Sequence, residues 1–422
     1  MLNGAGNGPE LIEQRLRAFS LTMNKKTIVG VEVAKTSIVC CPLELHQLPQ
    51  DYAAFSRSYT PITLLPNLSG LQTLLELGDT YVIEPTGDYS KIWIDSLRAN
   101  DKDVRRVNPK RVRALKEYHG IFSKTDRYDG AFLALYGAEN IDKPTAFLSD
   151  YAEDLRELVL QHNFLTRMTG NHQRRLWQLL SHEWPEVCQS RNGTKPRQTR
   201  NWLTPDPPGL IRFIAGEEYL QAKRRQASLE STIGSGLSEL STALASQICE
   251  LERRQYPLEP KISELLKSEE FAAYHETLDL FGFGEMTRAC ILSRIYPFAQ
   301  FLGADGKPIK VKQPSATGGR SHRRDKSMGA FRLALGNGTK VYQSGQEKRE
   351  SAAGPKYARV ALFLHVKTRV VLKGRGALSA PKYLSKHRAL YESLAPMPHK
   401  QAVSKVISRV VKDLYRELLS AL

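Results

Sequence analysis

A chain of 422 residues, 41% of them hydrophobic, has room for two or three domains with real cores, and 61 Lys and Arg against 44 Asp and Glu give it a net charge of +17. A field of that sign attracts polyanions and supplies sequence-independent phosphate affinity, so nucleic acid is the expected partner. The absence of any run of about eighteen apolar residues and of a signal-peptide pattern argues against a membrane protein and for a cytoplasmic one, and the five scattered cysteines, with no CxxC pair, argue against structural zinc and a disulfide framework.

Residues 1–25, rich in Gly and Asn, read as a loose arm. Thr27 to Val33, Ser37 to Cys41 and Tyr59 to Leu65 predict three strands of a meander. Leu68 to Leu77 predicts a helix, Tyr81 to Ile83 a buried strand ending on Glu84, Ile92 to Ala99 a helix and Val104 to Val107 a further strand. Three strands in a row, then strands alternating with helices, point to an α/β domain over residues 26–150 with a mixed sheet flanked by helices.

Beyond Pro144 the pattern turns helical. Leu155, Leu158, Val159, His162 and Leu165 mark one stripe, and Leu176, Leu179 and Leu180 extend it towards Trp184-Pro185. Gln189 to Pro208 reads as a loop. Ile233, Leu237, Leu240, Leu244, Ile248 and Leu251 then recur at steps of three and four, the spacing of a coiled-coil seam or of one core helix in an ordinary bundle. Residues 151–275 are accordingly expected as a helical, possibly coiled-coil region, and 276–422 as a mainly α C-terminal domain. In the latter, Leu280 to Glu285 forms a Gly-bearing turn before a helix from Met286 to Tyr296. Asp305 to Lys326 is a long basic loop with seven Lys/Arg against two Asp, either disordered or ordered by phosphate. After Phe331 to Leu335 and the turn Gly336-Asn337-Gly338 come Tyr342-Gln343-Ser344-Gly345 and helices from Tyr357 to Val371 and from Gln401 to Leu419.

Four acids stand out: Glu32 inside an apolar strand, Glu84 at the end of another just before Pro85-Thr86-Gly87, and Asp126 and Asp129 in SKTDRYDG at the start of a helix. Residues three apart share one helix face, and neighbouring strand ends in an open sheet converge on one rim. Carboxylates gathered there repel unless a cation joins them. Mg²⁺ or Mn²⁺ takes such oxygen ligands and holds phosphates, and a pair of metal ions can clamp the attacking and leaving oxygens of a phosphoryl transfer. Lys35, Lys124 and Arg127 lie beside the acids, either to contact phosphate or to balance charge. Ser344 sits between a Gly-Asn-Gly turn and Lys348-Arg349, with Lys340 upstream. A serine in a basic field can attack a phosphodiester, although Ser-Gly pairs are mostly turns.

The strings VGVEVAKTS, EPTGDY, VNPKRVRALKEY with SKTDRYDGAFLALYG, and downstream YQSGQEKR with GPKYARVALFLHV, resemble the insertion-sequence transposases and Piv-type DNA invertases. The resemblance runs from about Thr27 to Leu419. It implies a RuvC-like, RNase H-like DEDD domain, a helical segment in which Arg167, Asn171 and Leu176 match an arginine-rich helix, and a serine-bearing C-terminal domain. It implies that Glu32, Glu84, Asp126 and Asp129 are the metal-binding tetrad and that Ser344 is the nucleophile. DNA, a structured guide (bridge) RNA and a homo-oligomeric assembly are the partners so implied. The family usually has Asp at the first tetrad position, where Glu32 carries an extra methylene worth roughly a bond length. The alternatives are a RuvC-like nuclease or resolvase using metal-activated water, and a non-catalytic nucleic-acid-binding relic.

Overall fold

The first strand decides the layering of the N-terminal unit. In β1 (Thr27–Val33) alternate residues face opposite sides of the sheet. Val29, Val31 and Val33 enter one buried cluster with Trp93, Ile94 and Leu97. Ile28 enters the other, with Phe132 and Leu135. β1 pairs antiparallel with β2 (Ile38–Glu44), which pairs antiparallel with β3 (Ile62–Leu64); between these two lies helix α1 (Tyr52–Ser58), capped by Asp51. After helix α2 (Leu68–Glu76), β4 (Thr80–Ile83) lies parallel to β1, and after helix α3 (Asp88–Ala99), β5 (Asp103–Arg106) lies parallel to β4. The sheet order is β3-β2-β1-β4-β5, the mixed five-stranded, RNase H-like α/β sheet expected. Helix α4 (Pro109–Tyr118) and helix α5 (Asp126–Asn140) follow on the Ile28 face.

The computed structural model describes residues 26–143, 146–189, 198–218, 222–303, 305–313, 322–344, 347–372 and 381–422; the expected arm over 1–25 lies outside them. The chain divides into two compact units, residues 1–150 and 151–422. The boundary expected between 275 and 276 falls inside a helix of the second unit, Ala272–Asp279, and Ile262, Leu266, Phe271 and Leu278 share one core with Ile291, Leu362 and Leu414.

The second unit is mainly helical, from the 34-residue helix α6 (Asp150–Glu183) onward. Its helices continue with α7 (Pro185–Cys188), α8 (Gly209–Ile214), α9 (Ala222–Glu230), α10 (Glu239–Gln255), α11 (Leu258–Leu266), α12 (Ala272–Asp279) and α13 (Glu285–Ile295). The expected coiled-coil seam is corrected here. Ile233 and Leu237 precede α10; Gly236 has φ +81°, and a Cβ on Gly234 would come within 2.4 Å of the Glu183 carbonyl oxygen, so this segment is a turn packed on the end of α6. Within α10 the buried side is Ser241, Ala245, Ile248, Cys249 and Glu252, while Leu240 is exposed. α10 is thus a core helix of this unit, packed beside Leu210 and Ile211 of α8.

The basic loop is corrected as well. Within it β6 (Lys310–Gln313) pairs antiparallel with β7 (His322–Asp325), and α14 (Lys326–Ala334) follows, capped by Asp325. β8 (Gly338–Ser344) and β9 (Glu347–Ala353) form a second antiparallel pair, followed by α15 (Lys356–His365), one π-helical stretch (Val366–Val371), α16 (Lys382–Ser393), which apolar spacing alone does not announce, and α17 (His399–Ala421).

Helix α5 and strand β1 meet backbone to backbone. A Cβ on Gly30 would lie 2.2 Å from the Gly130 carbonyl oxygen and 2.4 Å from the Ala134 amide nitrogen, and one on Gly137 would lie 2.4 Å from Val82 Cγ2. α5 therefore lies directly on β1. Gly30→Ala is expected to lower stability by roughly 3 kcal/mol, since overpacking against backbone has no rotamer to relax into. Gly170→Ala in α6, where a Cβ meets only Arg174 Nη1 at 3.7 Å, is expected to be neutral or stabilising by up to about 1 kcal/mol. Urea denaturation of both variants checks this; equal midpoints would contradict the seating of α5.

Candidate functional site

Glu32 and Glu84 owe their closeness to strand register. Val31 is level with Ile83 across the parallel pair β1–β4, so the next residues, Glu32 and Glu84, are also level. Both share the parity of Ile28 and Val82, which places them on the α5 face. The same face holds Gly30, and the absence of a side chain there lets the first turn of α5 approach. Thr125 caps that helix, its hydroxyl accepting from the Tyr128 amide at 3.3 Å, and Asp126 and Asp129 occupy the first turn, where the helix dipole favours negative charge.

Glu32, Glu84 and Asp129 line one cleft of about 310 Å³ together with Lys116, Lys124 and Arg113. Asp126, exposed at the helix start, also acts on Glu32: burial, then Glu84, Asp129 and Asp126 in turn, push the Glu32 carboxyl up to about 8, opposed by Lys124. Glu84 is raised by burial and by Asp129, against Lys124, Lys116 and Arg113. One carboxylate oxygen of Glu32, Oε2, is buried with no hydrogen-bond partner. An orphaned buried oxygen among mutually repelling carboxylates is the donor chemistry that a hard divalent cation satisfies. Among the described residues no group of three or more His, Cys, Asp or Glu is closed up tightly enough to hold a metal ion. In donor type the four acids fit such a cation; as they stand they do not form its coordination sphere.

Lys116 is a site residue that the sequence does not single out. Its Nζ donates to the Asp129 carboxylate and to the Ser123 carbonyl at 3.0 Å, with its side chain 9% exposed. A lysine one turn from the end of an amphipathic helix reads as solvated, and only the docking of α4 beside α5 buries it. Gly30 and Gly130 carry a signal that residue order does hold, since VGVEV and DGAF place a glycine two residues before Glu32 and one directly after Asp129.

The cations expected at phosphate divide. Lys124 is exposed at the cleft and Lys35 in the turn after β1. Arg127 is committed elsewhere: its guanidinium donates to the carbonyls of Arg57 and Tyr59, the latter at 2.7 Å, and lies over the Tyr59 ring, whose hydroxyl donates to the Arg127 carbonyl at 2.6 Å. That arrangement ties the start of α5 to the end of α1 and accounts for the arginine structurally. Arg167 is exposed on α6, and Lys340 is exposed on β8 with its Nζ 4.5 Å from the Tyr342 ring centroid. Ser344 is the last residue of β8, paired with Glu347. Its side chain and those of Lys348 and Arg349, and Gly345 as a whole, lie outside the described residues.

The raised pKa of Glu32 has a signed consequence. Folded, it keeps its proton up to about pH 8, whereas its ordinary value is 4.5. Between these values the native state binds the extra proton, so stability contributed by this group is present at low pH and is lost as pH rises towards 8. With divalent ions chelated, melting temperatures between about pH 5 and 8 are expected to fall with pH more steeply in the wild type than in Glu32→Gln. Parallel curves would remove Glu32 as the cause.

Among the described residues no helix is long and apolar enough to cross a membrane. No curated protein matches the chain. Residues 29–185 match the family model DEDD_Tnp_IS110, described as a transposase, over a segment that includes Glu32, Glu84, Asp126, Asp129 and the arginine-bearing helix α6. Over residues 29–185, then, the chain is similar to a DEDD transposase domain of the IS110 family, and DNA is what such a domain acts on.

Proposed function

We propose that the protein is a DNA recombinase of the transposase kind, in which Glu32, Glu84, Asp126 and Asp129 hold Mg²⁺ or Mn²⁺ and Ser344 is the nucleophile. The observation that carries the reading is the level placement of Glu32 and Glu84 on adjacent parallel strands, facing the acidic first turn of α5, within a segment that matches a transposase family.

A bound divalent ion would neutralise charge on the phosphate oxygens of the scissile bond. The remaining chemistry belongs to the chain. Lys116 holds the Asp129 carboxylate in place through their ion pair. Lys124, at the cleft, offers a cation to an incoming phosphate. The Ser344 hydroxyl attacks phosphorus, its proton passes to the departing deoxyribose oxygen, and a phosphoserine ester remains. Attack on that ester by the hydroxyl of a second strand restores the serine and joins the new strands, so the exchange conserves the number of phosphodiester bonds. A structured RNA from the same mobile element, pairing with donor and target, supplies sequence choice. The chain contributes backbone contacts through its +17 charge, acting in a prokaryotic cytoplasm as a homo-oligomer.

Ser344→Ala is expected to abolish strand joining and the covalent protein–DNA adduct, and Glu84→Gln to reduce cleavage by about 100-fold or more. Denaturing gels of a supercoiled element-bearing plasmid, incubated with purified protein, element RNA and Mg²⁺, read both. Ser344→Ala that still joins strands removes the serine. Ser344→Ala that still cleaves but never joins, without any adduct in the wild type, selects a metal-dependent nuclease.

A further inference from the structure

A second cleft, of about 640 Å³, lies in the C-terminal unit between the β6–β7 pair, helix α14 and the start of β8. Its walls carry Lys312, Arg324, Lys326 and Arg332 and, among the described residues, no carboxylate. The acid nearest in sequence, Asp325, accepts from the Met328 amide at 2.8 Å as the cap of α14. Among the described residues Lys312, Arg324 and Lys326, all exposed, have no ion-pair partner. Arg332 is held by a neutral group: its Nε and Nη2 donate to Asn337 Oδ1 at 3.3 and 3.2 Å, and the Ser408 hydroxyl donates to the same oxygen at 3.2 Å. The guanidinium is thus oriented without being neutralised.

Four uncompensated cations around one concavity repel one another, and the fold keeps them there. Their natural counter-ion is a chain of phosphates. Beside them Val311 and Leu333 are 40% and 43% exposed, which gives an apolar wall of the kind a deoxyribose packs against. Gly329, on α14, leaves open space where a side chain would stand: a Cβ there meets nothing within 4 Å.

We propose that this cleft seats the sugar-phosphate backbone of duplex DNA. The choice of DNA rests on the reading of Ser344 as the group that attacks DNA, because Gly338 and Thr339 at the cleft open the strand that ends on Ser344. Five residues of extended strand span roughly 17 Å, or about five base-pair steps of duplex. The cleft then grips the duplex about half a turn from the bond attacked and fixes its register.

The test uses the full-length protein and a fluorescent DNA duplex of about 30 base pairs, titrated by anisotropy across a salt series, with an RNA duplex of the same sequence in parallel. Lys312→Ala with Arg324→Ala removes two cations from the cleft; Lys223→Ala with Arg224→Ala removes two exposed cations from α9 and leaves the same net charge. The cleft pair is expected to weaken DNA binding by about tenfold or more and to reduce the slope of log affinity against log salt by about 2, whereas the control pair changes affinity less than about threefold. Gly329→Leu adds bulk to the cleft wall without altering charge, at a position where a Cβ meets nothing within 4 Å, and is expected to weaken DNA binding at least about fivefold, with an unchanged melting temperature. Indistinguishable effects of the two charge pairs, wild-type binding by Gly329→Leu, or loss confined to the RNA duplex would each overturn the proposal. The titrations are read with divalent ions chelated, where metal-dependent chemistry is silent, and the plasmid assay reads that chemistry by itself, so failure of the cleft and failure of the catalytic reading are separable.

Discussion

Everything at the acidic cleft depends on two backbones touching. Helix α5 can lie on strand β1 only because Gly30 puts no side chain between them, and a single methyl at Gly30 would fall within 2.2 Å of a carbonyl oxygen. That contact sets the height of the helix over the sheet. The height, in turn, sets how near Asp126 and Asp129 come to the row of side chains that runs from Ile28 through Gly30 to Glu32. The parallel register of β1 and β4 adds Glu84 to the row. Three separate stretches of sequence thus become one cleft through one close packing and one strand alignment, neither of which is itself acidic.

Such a cleft works against the fold that builds it. Glu32 and Glu84 are desolvated and face like charges, so both are shifted towards the protonated form. The compensation lies in apolar packing on both faces of the sheet and in Lys116, whose charge is spent on Asp129. The acids are therefore unequal. Asp129 enters any reaction already paired, whereas Glu32 has a buried oxygen with no partner. Glu32 also carries one methylene more than an aspartate would, which lengthens its reach from the strand.

Much of this is legible from residue order alone. The β-branched runs at Thr27 and Tyr81 locate β1 and β4, and SKTDRYDG announces a capped helix with acids in its first turn. Helix α1 escapes such reasoning because Tyr52 to Ser58 is short and weakly patterned. A seam beginning at Ile233 arises only when apolar spacing is counted through Gly234-Ser235-Gly236, where a left-handed glycine stops a helix. Arg127 and Lys116 mark the limit from opposite sides. By position Arg127 is a candidate phosphate ligand, yet it braces two carbonyls at the end of α1; by position Lys116 is a solvated lysine, yet it is buried against an acid. Long-range packing decides such cases, and periodicity carries no record of it.

The order in which the acids appear along the chain has a consequence during synthesis. Glu32 and Glu84 emerge first, but their shared face is uncovered until α5, which begins at Asp126, has left the ribosome and settled on Gly30. A growing chain therefore has the sheet before it has the cleft. Incomplete chains that stop before α5 lack two of the four carboxylates and the helix that closes that face, so the acidic cleft exists only in chains that extend past α5.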